Sequence, residues 1–157
     1  MILTGCGGTR LLDFPLDAAG RGLNSLAAER QPQISDRYIV FVSDRSGSQN
    51  IYLYDAQERR LVELPGLNTL DAIASHPAVS EDGRYIVFAS SRQGRTGIYL
   101  YDRELSQTRS LTAALNTEVR HPTISADGST IAFEKAENGN WQIAVYDRSG
   151  QPLPNLP

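Results

Sequence analysis

HPAVSEDG at residues 76–83 decides the fold, because it returns as HPTISADG at residues 121–128, 45 positions later. The apolar block that follows recurs in the same register. An earlier copy starts at Gln31-Pro32, again 45 positions before His76, with a first turn that is two residues shorter. A period of about 40 to 45 residues is that of one four-stranded propeller blade. The sequence therefore predicts an all-β chain of three propeller blades, at about residues 31–65, 76–112 and 121–157.

The middle copy indicates how one repeat divides into strands. Its innermost strand covers residues 76–80 and is followed by a turn at Asp82-Gly83, because an Asp-Gly pair supplies the positive φ of a tight hairpin. Residues 85–90 (YIVFAS) form a continuous apolar run, which is typical of a strand covered on both faces. Residues 91–97 are predicted to be a polar loop, and residues 98–101 a third strand.

The fourth strand of each repeat is predicted to lie at the outer edge. LVELP at residues 61–65 aligns with LPNLP at residues 153–157, and residues 108–112 take the same place in the middle copy. Proline lacks the N–H that a central strand must donate, so these segments fit an edge. LLDFP at residues 11–15 has the same pattern. We therefore expect a spare outer strand before the first blade, and propeller repeats over residues 11–157.

Three blades are fewer than the roughly four to eight that close a propeller ring. Two apolar blade faces would then be exposed to water, which favours association. One arrangement is a homodimer, in which two chains form a six-bladed ring and the first blade of each packs on the partner's third. The alternative is that the chain is part of a longer propeller.

Charge and hydropathy exclude two classes of partner. The net charge of −3 gives no basic face for displacing counterions from nucleic acid. The longest apolar runs, such as residues 38–42, are far shorter than the ~20 residues of a membrane-spanning helix. Membrane contact is therefore expected only through an attached lipid.

The segment Leu3-Thr4-Gly5-Cys6 resembles a bacterial lipobox, the short signal before a cysteine that is lipidated and becomes the mature N-terminus. Only five residues precede Cys6, so the charged and apolar regions of a full signal peptide are not in the given sequence, and either the true start lies upstream or the match is accidental. We expect Cys6 to be a lipid-attachment site, with residues 1–10 as a lipobox-like N-terminus and tether. This predicts a periplasmic or outer-membrane lipoprotein. If the match is accidental, the chain is expected in the cytoplasm.

The sequence predicts no catalytic residue, metal or cofactor. It has no Gly-x-Ser-x-Gly elbow for a serine nucleophile, and its two histidines and one cysteine do not form a zinc cluster. Each repeated turn has one repeated carboxylate, that of Asp82 in the middle copy and that of Asp127 in the last, whereas calcium takes about six to eight oxygens. Aspartates are therefore interpreted as turn residues, namely Asp82, Asp127, Asp55, Asp102 and Asp147.

The repeat resembles that of the TolB-like propellers, a WD40-like family of the bacterial envelope named after the periplasmic component of the Tol-Pal system. The resemblance covers about residues 31–147 and rests on Ser80-Glu81-Asp82-Gly83, Ser91-Arg92-Gln93-Gly94 and IYLYD at residues 98–102. It implies a noncatalytic module that binds a protein or peptide partner in the cell envelope. The repeat is also similar to the noncatalytic propeller of prolyl oligopeptidase-type peptidases. The alternative is therefore an accessory or remnant propeller whose enzymatic domain is encoded elsewhere.

The partner-binding residues are predicted to lie together at one end of the disc. Arginine and tryptophan are over-represented in binding hot spots, and Trp141 departs from the repeat, which has Thr96 at the matching position. His76 and His121 share one repeat position, which favours a structural imidazole, the other interpretation being that they line a channel mouth. The predicted face consists of Arg45, Asn50, Arg92, Arg95, Arg120, Asn140, Trp141, His76 and His121.

Overall fold

The computed structural model describes residues 15–154, which form eleven β-strands in three antiparallel sheets. In blade 1, the strands are β1 (Glu29–Ser35), β2 (Tyr38–Ser43), β3 (Asn50–Asp55) and β4 (Arg60–Val62). In blade 2, they are β5 (Ile73–Val79), β6 (Tyr85–Arg92), β7 (Arg95–Asp102) and β8 (Gln107–Ser110). In blade 3, they are β9 (Val119–Ile124), β10 (Thr130–Glu137) and β11 (Asn140–Asp147). The predicted all-β chain of three propeller blades is confirmed.

Each strand pairs with its neighbour in the chain, so every blade is a simple meander from the inner strand outwards. In blade 3, the place of a fourth strand is marked by a bridge between Tyr146 and Pro152. Residues 155–157 of that predicted strand lie outside the described residues, as do Cys6 and residues 11–14 of the predicted spare strand. Within residues 15–154, no helix is long and apolar enough to cross a bilayer.

The Ser-x-Asp-Gly turn forms as its residues predict. Gly83 N–H donates to the carbonyl of Ser80 over 2.9 Å, with Gly83 at a φ of 70°. One carboxylate oxygen of Asp82 accepts from the Ser80 hydroxyl (2.6 Å) and from Arg84 N–H (3.0 Å). The side chain therefore fixes the turn, as asparagine and aspartate do in Asx turns. In blade 3, one carboxylate oxygen of Asp127 likewise accepts from the Ser125 hydroxyl (2.6 Å) and from Ser129 N–H (3.0 Å).

The predicted polar loop at residues 91–97 is wrong. Strand β6 continues to Arg92 and β7 begins at Arg95, which leaves only Gln93 and Gly94 in the turn. Their φ angles of 51° and 77° are those of a two-residue type I′ hairpin. Polar residues extend these strands because Ser91 and Thr96 pair across the ladder near its exposed tip.

The outer strands are displaced from their predicted ranges. Strand β4 ends at Val62 and β8 ends at Ser110, each before the predicted limit. Pro65 therefore follows β4, and its carbonyl accepts a hydrogen bond of 2.8 Å from the Tyr101 hydroxyl in blade 2. The proline helps join two blades and does not occupy the sheet edge.

Two apolar cores lie between the blades. We call the face of each blade that points to the next blade its trailing face, and the opposite one its leading face. The first core joins the trailing face of blade 1 to the leading face of blade 2 through Tyr38, Val40, Val42, Ile51, Leu53, Val79, Ile86, Phe88 and Tyr101. The second joins blades 2 and 3 through Tyr85, Val87, Ala89, Ile98, Leu100, Ile131, Phe133 and Tyr146. Burial of these side chains is the main force that stacks the blades.

The two terminal faces differ from each other. On the leading face of blade 1, Phe41 and Tyr54 are only 2% and 3% exposed. On the trailing face of blade 3, Ile143 is 71% exposed, whereas its repeat equivalent Ile98 is fully buried. Thr130, Ala132 and Glu134 replace Tyr85, Val87 and Ala89 on that face.

Candidate functional site

A groove of about 640 Å³ opens between blades 2 and 3, beside the tip of the β6–β7 hairpin. It is lined from blade 2 by Ser75, His76, Ala89, Gly94, Arg95 and Thr96, and from blade 3 and its preceding loop by Asn116, Thr117, Glu118, Val119, Arg120, His121 and Trp141. Five of the predicted partner-binding residues lie here, namely His76, His121, Arg95, Arg120 and Trp141. The structure brings them together from positions up to 65 residues apart in the sequence.

A repeated backbone irregularity sets the side-chain direction of one inner-strand residue in each blade, namely Gln31, His76 and His121. Gln31, His76 and His121 have φ angles of 53°, 49° and 51°, which are uncommon for residues other than glycine. In β1 and β5 the pairing register shifts at this point. Such bulges redirect a side chain. The three side chains consequently line a shallow depression of about 280 Å³ along the inner strands.

The two histidines contact each other and their neighbours. Their ring centroids lie 4.5 Å apart. Gln31 accepts a hydrogen bond of 2.8 Å from the backbone N–H of His76, and Nδ1 of His121 lies 3.1 Å from a carboxylate oxygen of Glu134. Burial, together with the adjacent His121, lowers the pKa of His76 below its usual value. The lowered pKa favours the neutral form of the His76 imidazole.

A side-chain cluster lies at the exposed side of the groove and consists of Glu134, Arg120, His121 and Trp141. Arg120 Nε donates to one Glu134 oxygen over 2.5 Å, while His121 contacts the other. The Arg120 guanidinium also lies over the Trp141 ring, 3.7 Å from its centroid. Arg120 and then His121 hold the pKa of Glu134 below its usual value. The Trp141 ring, 41% exposed, is thus fixed by a cation–π contact and still available to solvent.

Arg95 supplies a positive charge at the hairpin tip. Its guanidinium donates to the backbone carbonyl of Leu115. Among residues 15–154, no carboxylate oxygen lies within 4.0 Å of this exposed side chain. Arg95 therefore differs from Arg120, whose charge is paired with Glu134.

Arg45 lies outside the groove. Its guanidinium donates to three backbone carbonyls, those of Gly20 (3.1 Å), Gly22 (2.7 Å) and Leu23 (2.8 Å), and pairs with Glu29 at 2.8 Å. The side chain is 6% exposed and lies over the rings of Phe41 and Tyr52. The geometry gives Arg45 a role inside the chain, where it ties the segment before β1 to the leading face of blade 1.

Three further residues of the predicted face also lie outside the groove. Arg92 is the repeat equivalent of Arg45 and lies over the Tyr99 ring, 5.4 Å from its centroid. Asn50 donates to the hydroxyl of Ser46. Asn140 is exposed at the start of β11.

The sequence interpretation missed several polar residues of the site. Glu134 is the centre of the side-chain cluster, and Asn116, Thr117 and Glu118 form one wall of the groove. Glu134 stands where blade 2 has the buried Ala89. The departure from the repeat that singled out Trp141 would therefore also have found Glu134.

Within the described part of the chain, no three histidine, cysteine, aspartate or glutamate side chains are grouped so that they could hold a metal ion. The repeated turn aspartates are each used by their own turn. Asp55 accepts from the N–H groups of Gln57 and Glu58, and Asp147 from those of Ser149 and Gln151. Their interpretation as turn residues is confirmed by these bonds.

Solved propellers of several kinds are similar to this chain. TolB from Acinetobacter baumannii shares 25% sequence identity with a TM-score of 0.63, over 83% of this chain and 32% of that protein. A putative TolB from Agrobacterium tumefaciens shares 18% identity with a TM-score of 0.63, over 79% of this chain and 47% of that one. The propeller domain of the trilobed protease from Pyrococcus furiosus shares 15% identity with a TM-score of 0.60, over 82% and 42% of the two chains.

The chain spans about a third to a half of the length of these proteins. The two matches below 25% identity show the fold alone. No curated protein gave a match. The TolB β-propeller domain family matches residues 25–156, which include all three blades. The chain belongs to the TolB β-propeller domain family.

Proposed function

We propose that this chain is a noncatalytic propeller module that binds a protein or peptide partner in the bacterial cell envelope, through the groove between blades 2 and 3. The observation that carries the proposal is the arrangement of Trp141 beside Arg95 and Arg120 at one open groove. Tryptophan and arginine are among the residue types enriched in binding hot spots.

The rigidity of the groove favours binding. Arg120 holds the Trp141 ring, and Glu134 in turn holds Arg120, so these side chains lose little conformational freedom when a partner contacts them. Thr117 is fixed by its own hydrogen bond of 2.6 Å to the carbonyl of Ala136. A partner therefore meets a largely pre-formed surface.

The charge of the groove indicates which part of a partner it suits. Arg120 is paired with Glu134, whereas Arg95 has no carboxylate oxygen within 4.0 Å among the described residues, although Glu118 also lines the groove. A partner segment with a carboxylate beside an apolar or aromatic side chain would complement Arg95 and Trp141 together.

The test uses the purified chain and an envelope extract, followed by calorimetry with each protein that it captures. Trp141→Ala and Arg95→Ala are each expected to weaken binding of the same partner by about tenfold or more, the size of a hot-spot loss. Arg109→Ala, an exposed arginine on β8, is the matched control. A partner that binds both groove variants as tightly as the unaltered chain would contradict the proposal.

The envelope location and lipid attachment are part of the same proposal. They are supported by the family of the chain and by the lipobox-like Leu3-Thr4-Gly5-Cys6. Cells fed a radioactive fatty acid are expected to label the chain, and Cys6→Ser should abolish the label. Label that persists in the serine variant, or none in the unaltered chain, would reject Cys6 as the attachment site.

A further inference from the structure

Arg92 holds in blade 2 the place that Arg45 holds in blade 1. Each arginine lies two residues after a buried serine of the second strand, Ser43 or Ser90. Each guanidinium lies over a tyrosine of the third strand, at 4.9 Å from the Tyr52 centroid for Arg45 and 5.4 Å from the Tyr99 centroid for Arg92. The internal repeat therefore provides a direct comparison of one side chain in two environments.

The two arginines differ in their acceptors. Arg45 has the carboxylate of Glu29 and three carbonyls, whereas blade 2 has Ala74 at the position of Glu29. For Arg92 there is one long contact of 3.5 Å to the Thr69 hydroxyl. Its Nε is buried and makes no hydrogen bond within residues 15–154. A buried N–H group without an acceptor is costly, and few occur in native structures.

Asp71 is an acidic residue whose pKa is affected by the charge of Arg92. Hydrogen bonds from Thr69 and from its own backbone, and the charge of Arg92, lower the pKa of Asp71. Its carboxylate forms no ion pair with Arg92 within 4.0 Å among the described residues. Asp71 thus leaves the Nε of Arg92 without an acceptor.

A pocket of about 260 Å³ lies beside Arg92 and Arg95. No aspartate or glutamate of the described chain lines it. Thr96, Tyr99 and Ser110 are among its lining residues, and their hydroxyl groups have no protein hydrogen-bond partner among residues 15–154. Its remaining lining residues are Gly97, Thr112, Ala113, Leu115 and Thr117.

We propose that this pocket is an oxyanion-binding site, in which Arg92 and Arg95 bind a carboxylate or phosphate group. Guanidinium groups bind such oxygens through paired, charge-assisted hydrogen bonds. The volume is slightly below the about 300 Å³ at which pockets for whole small molecules begin, so it suits a charged group or a compact anion.

The pocket adjoins the groove, because Arg95, Thr96 and Thr117 line both. The oxyanion can therefore belong to a free ligand or to a partner seated in the groove, and the second source rests on the proposed function. The binding of a small oxyanion itself does not depend on that partner.

The experiment titrates the full chain with inorganic phosphate and, separately, with acetate, while chloride keeps the ionic strength constant. Calorimetry is expected to show saturable binding of at least one of them. Arg92→Gln and Arg95→Gln should each weaken that binding by about tenfold or more, as expected for the loss of a charge-assisted hydrogen bond. Arg109→Gln, which removes an exposed arginine from β8, should leave binding unchanged.

Two results would overturn the site. One is that neither anion binds at millimolar concentration, and the other is that both glutamine variants bind as the unaltered chain does. If Arg92→Gln does not fold, the exposed Arg95 still carries the test. Phosphate that competes with an envelope partner assigns the oxyanion to that partner, and simultaneous binding assigns it to a free ligand. Loss of partner binding in Trp141→Ala is a separate result, so failure of the oxyanion site and failure of the proposed function are distinguishable.

Discussion

The imidazole rings of His76 and His121 lie 4.5 Å apart between their centroids, although the residues are separated by 45 positions in the sequence. Adjacent blades place the same repeat position side by side along the inner strands. Protonation of both rings would bring two positive charges together, which is one reason why the pKa of His76 is lowered, after burial.

His76→Gln is expected to remove part of the pH dependence of stability. Because the pKa of His76 is lower in the folded chain than the ordinary value of 6.5, the unfolded chain binds more protons between the two values. The contribution of His76 to stability is therefore complete above pH 6.5 and falls as the pH drops towards the folded value. Glutamine already occupies this position in blade 1, at Gln31. Urea unfolding over a pH series measures the effect. If the slope of the unfolding free energy against pH is the same in the variant as in the unaltered chain, the prediction is contradicted.

Arg45→Met is expected to lower the free energy of unfolding by about 3 kcal/mol, the scale for breaking a largely buried ion pair. The change leaves Glu29 and the carbonyls of Gly20, Gly22 and Leu23 without their donor. Denaturant unfolding provides the measurement.

Arg109→Met is the control for that experiment, with an expected change within about 0.5 kcal/mol for an exposed position. Equal stability of the two variants would show that the Arg45 network contributes nothing.

Burial raises the pKa of Glu29, but hydrogen bonds from Ser25, Arg45 and Ser43 together lower it below its ordinary value of 4.5. The contribution of Glu29 is thus present above pH 4.5 and lost as the pH falls through the folded value.

Gly83→Ala is expected to destabilise the chain more than Gly94→Ala. Both glycines have positive φ, 70° and 77°. A Cβ at Gly83 would lie 2.5 Å from the Tyr38 ring of blade 1, whereas a Cβ at Gly94 meets nothing within 4 Å. The backbone cost of about 1 kcal/mol is common to both variants. The difference in their thermal unfolding therefore measures the close approach of the blades, and identical losses would argue against it.

Ile98→Ala and Ile143→Ala test whether the trailing face of blade 3 is free. These residues share one repeat position, but Ile98 is fully buried and Ile143 is 71% exposed. We expect Ile98→Ala to cost about 3 kcal/mol and Ile143→Ala less than about 0.5 kcal/mol. A large loss in unfolding free energy for Ile143→Ala would indicate that a partner covers this face.

The homodimeric ring hypothesis makes a prediction about mass in solution. Ring closure would pack the trailing face of blade 3 on the leading face of blade 1, where Arg45 and the segment before β1 already cover Phe41. Thr130 and Glu134 also replace the apolar residues that blades 1 and 2 use for packing. We expect sedimentation to give the mass of one chain. A concentration-independent mass of two chains would instead support the ring.

Much of the fold could be predicted because the same pattern of turn and strand residues occurs three times in the chain. The turns at Asp82-Gly83 and Asp127-Gly128 and the apolar strands β2, β6 and β10 follow from local residue chemistry, which acts within a few positions. The β6–β7 hairpin was harder, because Ser91 and Thr96 are polar and their strand pairing depends on the ladder. Strand preference of this kind is decided by context more than by residue type.

The sequence alone determined the three-blade architecture and the register of the repeats, because periodicity is a property of the chain itself. Of the nine residues that it predicted for one face, five line the groove. Only the tertiary structure separated Arg45 from Arg95. Both are arginines near a second-to-third-strand hairpin, yet one is 6% exposed beside Glu29 and the other faces the groove without a carboxylate. Charge pairing and burial depend on neighbours that are distant in sequence, and only the packed chain brings those neighbours together.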